Sequence, residues 1–331
     1  MASIVLGLGT SHTPMLLASD ETLPRFLETD RIIAHHDKEG RPATYGELLE
    51  RADPSIADIV APAQLVERQN RARAACQHLR RVLSAAKLDA LIVFGDDQNE
   101  SYLEDCRPAF AVYFGETIRN DTKQHQTYSH LPEWYIKNRA AFFEPDAPRD
   151  YPVHAGLAAH MIDYLMDAEF DLAASKCLRA GEGEGHAIAY VHRHVMDANK
   201  PVPVVPFFIN TYYPPSQPRP RRCYRLGQVV RLAVESYAGD ARVGVLASGG
   251  LSHFLVDEDF DRLILKALAD KDAGFLERIP QSKLKGGSSE ILNWVAAAGA
   301  AEHLELNWFD YVPGYRTAAG TGTGMSFASW A

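Results

Sequence analysis

The sequence predicts an α/β fold: a single large domain with a mostly parallel central sheet flanked by helices and carrying two long inserted loops. Three observations predict it. Short runs dense in Val, Ile, Leu and Phe recur along the chain, as expected of strands buried on both faces. Segments of helical periodicity separate these runs, which is the alternation of a sheet covered on both sides. No repeat, low-complexity tract or linker-like stretch divides the 331 residues, so 1–331 reads as one domain, a length at which roughly three quarters of the open chain's surface is buried on folding.

Taken in order, the strand candidates are 3–9, 90–95, 110–114, 202–209 and 243–247. The helix candidates are 63–86, 156–168, 186–197, 224–237, 259–276 and 289–300. Gly286-Gly287-Ser288-Ser289 before Glu290 reads as a helix start, because Ser can cap free amides and Glu suits the positive end. Two stretches fit the alternation poorly. Residues 19–62 are polar and contain His35-His36-Asp37, and residues 99–152 are rich in Pro and aromatics, with Tyr128, His130, Trp134 and Tyr135. Long irregular segments in a compact domain are usually lids or binding loops.

Composition narrows the function. Lys and Arg number 34 against 43 Asp and Glu, a formal charge of −9. Arg219, Arg221, Arg222 and Arg225 are the nearest thing to a basic patch. This argues against nucleic acid or an anionic membrane as partner and leaves a small molecule. No stretch approaches the roughly 20 apolar residues of a membrane helix. The start, Met-Ala-Ser-Ile-Val-Leu-Gly-Leu-Gly, lacks the basic opening and long apolar run of a signal peptide and reads as a strand. The cysteines, Cys76, Cys106, Cys177 and Cys223, form no CxxC pair and read as reduced structural thiols, so a cytoplasmic location is expected. A homodimer is the base-rate expectation.

In open α/β sheets, ligands gather beyond the carboxyl ends of the strands. Three polar sets fall there: Ser11-His12-Thr13-Pro14, Asp96-Asp97-Gln98-Asn99-Glu100 and Ser248-Gly249-Gly250-Leu251-Ser252-His253. Two more open helices: Gly286 to Glu290, and Gly181-Glu182-Gly183-Glu184-Gly185-His186. Each has a bland reading. His12 alone is more often a hydrogen-bonded histidine than a ligand, Glu290 is by default a first-turn Glu on the helix dipole, and His253 would cap a turn. Asp96 and Asp97 would terminate a strand, and His35 and His36 would be solvated. Their joint placement favours a metal site with an acid/base histidine beside it.

The same residues carry a resemblance. Ser-His-Thr-Pro at 11–14, Ala-Glu-Phe-Asp at 168–171, Arg-Arg-Cys-Tyr-Arg-Leu-Gly-Gln at 221–228, Gly-Gly-Leu-Ser-His at 249–253, Gly-Gly-Ser before Glu290 with Trp294 after it, and Tyr311-Val312-Pro313-Gly314-Tyr315 run in one order. In that order the chain resembles the class III extradiol ring-cleavage dioxygenases, typified by the catalytic subunit of protocatechuate 4,5-dioxygenase. Its length and Gly-Asp-Asp-Gln-Asn-Glu at 95–100 are most similar to the longer single-subunit branch that includes 3-O-methylgallate dioxygenase. The inserted loops would then cover ground that a separate small subunit covers elsewhere.

The resemblance implies non-haem Fe(II) as cofactor and, as partners, a small aromatic diol and O₂. The diol would be a catecholic acid such as 3-O-methylgallate, gallate or protocatechuate. It puts His12 and Glu290 on the iron, makes His253 the acid/base residue, and makes His186 a second active-site histidine. Where better-known members place a second histidine ligand, this chain has Gln98, a neutral and weaker donor. Gln98 is the expected occupant of that position, directly or through a water, with Asp97, His35 or His36 as alternatives. A substrate carboxylate would need a cation or hydroxyl, for which Arg221, Arg222, Lys123, Lys137, Tyr128 and Tyr213 are candidates, and Tyr128 or Trp134 could stack on a ring. Two other functions are open: a fold that has lost oxygen chemistry and acts as a scaffold, and a Zn(II) or Mn(II) hydrolase using the same pocket.

Overall fold

The computed structural model describes residues 1–122 and 129–331; Lys123 and Tyr128 lie outside the described residues. Nine strands form the main sheet: β1 (Ser3–Thr10), β2 (Ala90–Asp96), β3 (Phe110–Tyr113), β4 (Ala173–Ser175), β5 (Val204–Ile209), β6 (Arg242–Ser248), β7 (His253–Leu255), β8 (Leu306–Tyr315) and β9 (Thr321–Trp330). The order is β7-β9-β1-β6-β2-β5-β3-β4, with β8 paired to β9. The centre, β1-β6-β2-β5, is parallel. The β3 strand returns antiparallel to β5, and β9 runs antiparallel to β1.

The principal helices are α1 (Pro62–Ala86), α2 (Ala155–Asp167), α3 (His186–Tyr190), α4 (Pro220–Ser236), α5 (Glu258–Ala269) and α6 (Ile291–Ala300). Successive strand residues point to opposite faces. Ile92 and Phe94 accordingly enter one core with α2, α4, α5 and α6, while Leu91 and Val93 enter a second core with α1 and α3. Burial on both faces explains why the central strands read as continuous apolar runs.

Several expectations are refined. The 186–197 helix changes after Tyr190 into a π turn over Val191–Val195. The 259–276 helix breaks where Lys271 adopts φ 55°, and Asp272 caps a new short helix, Ala273–Glu277. Ser288 and Ser289 do not cap α6. Ser289 donates to the Gly286 carbonyl, and the Ser288 hydroxyl accepts from the His253 N–H and donates to the His253 carbonyl, docking β7 onto this turn. The C-terminal strands β8 and β9 are absent from the run-based reading. In β9 small Gly, Ser and Thr residues separate Met325, Phe327 and Trp330, although all ten positions are buried.

The two irregular segments are folded. The first contains the helix Tyr45–Arg51 and a two-stranded ribbon, His35–His36 with Pro42–Ala43; the second contains the ribbon Thr117–Asn120 with Arg149–Pro152 and the helix Glu133–Arg139. They clasp each other where Trp134 and Tyr135 pack edge-on to Phe26, at 5.5 and 5.8 Å, and the Trp134 indole donates to Glu28.

Candidate metal centre

Parallel strands that end together bring distant residues to one edge. His12 follows β1, Asp96 ends β2, Ser248 ends β6, and the turn Gly286–Glu290 delivers Glu290 at the head of α6. His186 arrives from a glycine-rich loop as the first residue of α3. His12, Gln98, His186, His253 and Glu290 all line one cavity of ≈ 180 Å³. A cavity of roughly 150 Å³ takes a benzene ring, so the space suits one substituted ring.

The hydrogen bonds fix the ring nitrogens. Ser248 Oγ donates to the Ala187 carbonyl at 2.8 Å, so at its 2.9 Å contact with His12 Nδ1 it accepts. His12 is therefore protonated on Nδ1 and presents the Nε2 lone pair. That Nε2 lies 3.4 Å from Glu290 Oε2 and 3.8 Å from Asp96 Oδ1. Neither His12 Nε2 nor Asp96 Oδ1 has a hydrogen-bond partner among the described residues, although both are buried. A lone pair and two carboxylates turned on one another out of water are unfavourable unless a cation joins them. The residues present therefore fit a divalent ion.

His186 is held in the same way. Its backbone N–H and its Nδ1 both donate to Glu100, the latter at 2.8 Å, leaving Nε2 3.8 Å from Asp96 Oδ2. One donor atom each from His12, Asp96 and His186 lie within 4.8 Å of one another, and two histidines with a carboxylate are a donor set of non-haem Fe(II) oxygenases. Burial depresses the His186 pKa, but Glu100 and Asp96 more than offset it, so the net direction is upward. Burial, with Glu290 nearby, pushes the Asp96 carboxyl up.

Glu290 is held from several sides. Its Oε2 accepts from the Gly250 N–H at 2.8 Å, and its Oε1 accepts from Tyr212 at 3.0 Å and faces His253 Nε2 at 3.1 Å. Burial alone would raise its pKa, but His253 beside it holds it well below the usual carboxylate range. His253 Nδ1 donates to the Leu251 carbonyl at 2.9 Å, so Nε2 is its working nitrogen. Burial works against its charge, yet Glu290 and Leu251 raise its pKa overall. Only a glycine fits behind this ring: a Cβ on Gly287 would stand 1.8 Å from His253 Cδ2.

Gln98 lies between the carboxylates, its amide nitrogen donating to Asp96 Oδ2 at 3.1 Å and to Glu290 Oε1 at 3.4 Å. Its alternatives stand elsewhere. Asp97 accepts the backbone N–H groups of Glu100, Ser101 and Tyr102, with burial pushing its pKa up to about 6. His35 Nε2 bonds the Asp30 carbonyl, and neither His35 nor His36 lines the cavity.

Of the described carboxylate candidates none lines the cavity. Arg221 and Lys137 are exposed, Arg222 lies over Phe170, and Tyr213 lies under Arg107. Trp134 packs on Phe26 instead of the cavity, whereas Tyr135, Arg139 and Arg316 line it. The sequence reading passed over Asp96 as a strand terminator. Its signal was position, since it stands on the same sheet edge as His12. Ser248 and Glu100 stand in the same post-strand polar sets, whereas Tyr212 carries no comparable mark.

The family "Catalytic LigB subunit of aromatic ring-opening dioxygenase" matches residues 54–325. A gallate dioxygenase of Pseudomonas putida is 30% identical over 165 residues, covering 46% of this chain and 48% of that protein. A 2,3-dihydroxyphenylpropionate/2,3-dihydroxicinnamic acid 1,2-dioxygenase of Comamonas testosteroni is 26% identical over 165 residues, covering 50% and 43%. The chain thus spans less than half the length of either relative. With the match running through β2, β6 and the Glu290 turn that build the cluster, the chain belongs to the family of catalytic LigB subunits of aromatic ring-opening dioxygenases.

Proposed function

We propose that this chain is an Fe(II)-dependent extradiol dioxygenase that opens the ring of a catecholic acid, of the 3-O-methylgallate, gallate or protocatechuate kind, with O₂. The observation that carries this reading is the buried donor set in which His12 faces both Asp96 and Glu290, with His12 and Glu290 lining a one-ring cavity. His12 and Glu290 hold the metal, with Asp96 as a further anionic donor and Gln98 beside them, reaching it through its amide oxygen or a water. Ferrous iron supplies the electronic link that lets a singlet ring react with triplet O₂.

The chain's own groups do the rest. His253, anchored through Nδ1, accepts a diol proton at Nε2 and later returns it, a role in which a positioned histidine contributes about 10²- to 10⁴-fold. His186, locked by Glu100, is a second active-site histidine beside His12 in the same cavity. Pro14, Ile33, Leu131 and Phe254 line the cavity and exclude water from the ring. The relatives named for gallate and for dihydroxyphenylpropionate support an aromatic diol as substrate.

In this reading 1–331 is one catalytic domain, working in the cytoplasm as a homodimer. All four cysteines are free thiols, and no helix among the described residues is long and apolar enough to cross a membrane. Metal analysis after anaerobic purification, with O₂ uptake on a panel of diols, tests the function. Iron with uptake is expected. Zinc with O₂-independent hydrolysis, or no metal at all, would overturn it.

A further inference from the structure

Two guanidinium groups line the cavity, Arg139 and Arg316, both buried. Arg139 lies 4.0 Å from Glu100, the carboxylate that holds His186, and so belongs with that pair. Arg316 is different. It follows β8, and its Nε and Nη2 grip the two oxygens of the buried Asp30, which comes from the first inserted segment. Thr321 donates its hydroxyl to the same carboxylate, and the Phe26 ring lies 5.1 Å from the guanidinium carbon. Asp30 does not line the cavity, and Arg316 does. The Nη1 side of the fork makes no hydrogen bond with a described residue.

A planar guanidinium pinned along one edge presents its other edge in a fixed orientation, the arrangement that matches a carboxylate with two parallel hydrogen bonds. Pinning by Asp30 also removes the side-chain entropy cost before a ligand arrives. From this geometry we infer that Arg316, oriented by Asp30, is the specificity-determining residue that anchors the ring carboxylate of the substrate. The inference rests on the catecholic-acid reading above and names the group that distinguishes an acid from its neutral analogues. It also gives the first insertion a function, since the anchor's partner comes from that segment.

The test is binding rather than turnover. Calorimetric titration of the anaerobic Fe(II)-loaded protein would compare 3,4-dihydroxybenzoate with its methyl ester, which keeps the diol and removes the charge. A charge-assisted pair of bonds predicts a preference for the acid of about 10- to 100-fold. In the double variant Asp30→Asn/Arg316→Gln, which leaves no buried ion unpaired, the acid-to-ester ratio should fall below about threefold. Should that variant not fold, Arg316→Lys keeps the charge without the fork and should lower the ratio severalfold. Equal binding of acid and ester by the native protein, or a ratio unchanged in the variants, would overturn the assignment. Loss of the ring-cleavage reading is seen separately: no O₂ uptake with any diol, alongside an intact acid preference, removes the oxygen chemistry and leaves the anion anchor standing.

Discussion

Ser248→Ala deletes one hydroxyl that touches neither cavity nor substrate, and it should weaken Fe(II) binding. In the native chain Ser248 Oγ accepts from His12 Nδ1 at 2.9 Å while donating to the Ala187 carbonyl at 2.8 Å. This two-way bond is what keeps the proton on Nδ1 and the lone pair on Nε2. Without it, the metal-ready tautomer leaves a buried N–H unsatisfied, at a cost of about 1–3 kcal/mol. The other tautomer escapes that cost by turning Nε2–H toward Glu290 Oε2 and Asp96 Oδ1, which lie 3.4 and 3.8 Å away. The metal must then reverse the tautomer, so its affinity should drop by about 5- to 150-fold, which brackets the roughly 10- to 100-fold typical when partners of a ligating histidine are removed. Competition titration against a chromogenic Fe(II) chelator under anaerobic conditions reads this directly. The metal-free variant should melt close to the native metal-free protein, because the tautomer switch repairs most of the lost bond. An Fe(II) affinity within threefold of native would refute the assignment of His12 Nε2 as a metal donor oriented by Ser248.

Other outcomes follow from the same geometry. His253→Ala should leave iron content near native and lower turnover at least about a hundredfold; retained turnover would remove this residue from proton transfer. Gly287→Ala drives a methyl into the His253 ring and should lower turnover at least about tenfold with iron still bound, which single-turnover O₂ uptake would detect. Chelation should lower the melting temperature, since metal at a hundredfold excess over its dissociation constant stabilises by about 2.7 kcal/mol; a melt insensitive to added Fe(II) would contradict the donor cluster. Asp261 supplies a pH signature away from the metal. It is fully buried, and burial pushes its pKa up to about 6 despite hydrogen bonds from Ser252 and Tyr311. The folded state therefore holds a proton that the unfolded chain, with a pKa of about 3.9, gives up. Its contribution is complete below about pH 4 and is lost as pH rises to about 6, a change of about 3 kcal/mol. Denaturant titrations at pH 5 and 7.5 should show Asp261→Asn reducing that difference.

Much of the fold was legible because burial on both faces demands unbroken apolar strands, as in β2 and β5. The same logic failed for β9, where Gly, Ser and Thr are buried by three neighbouring strands and not by their own hydrophobicity. At the site, His12, Glu290, His186, His253 and Gln98 were legible as polar groups placed after strands or at helix starts, and they share one cavity. Asp96 looked like a terminator because its meaning depends on the imidazole that faces it. Asp30 and Arg316 carried no local signal at all, being 286 residues apart and joined only by the clasp of an insertion against the end of β8.

By itself, the chain of residue types determined the α/β architecture, the sheet edge where polar groups collect, and the presence there of imidazole and carboxyl groups. Periodicity and strand-end position are local properties, so one sequence suffices to read them. Which nitrogen of His12 is bare, which carboxylates it faces, and which arginine meets the cavity were decided only by the tertiary structure. Those properties depend on distances of 3 to 4 Å between segments remote in sequence, and on the exclusion of water that makes an unpartnered lone pair or a pinned guanidinium energetically consequential.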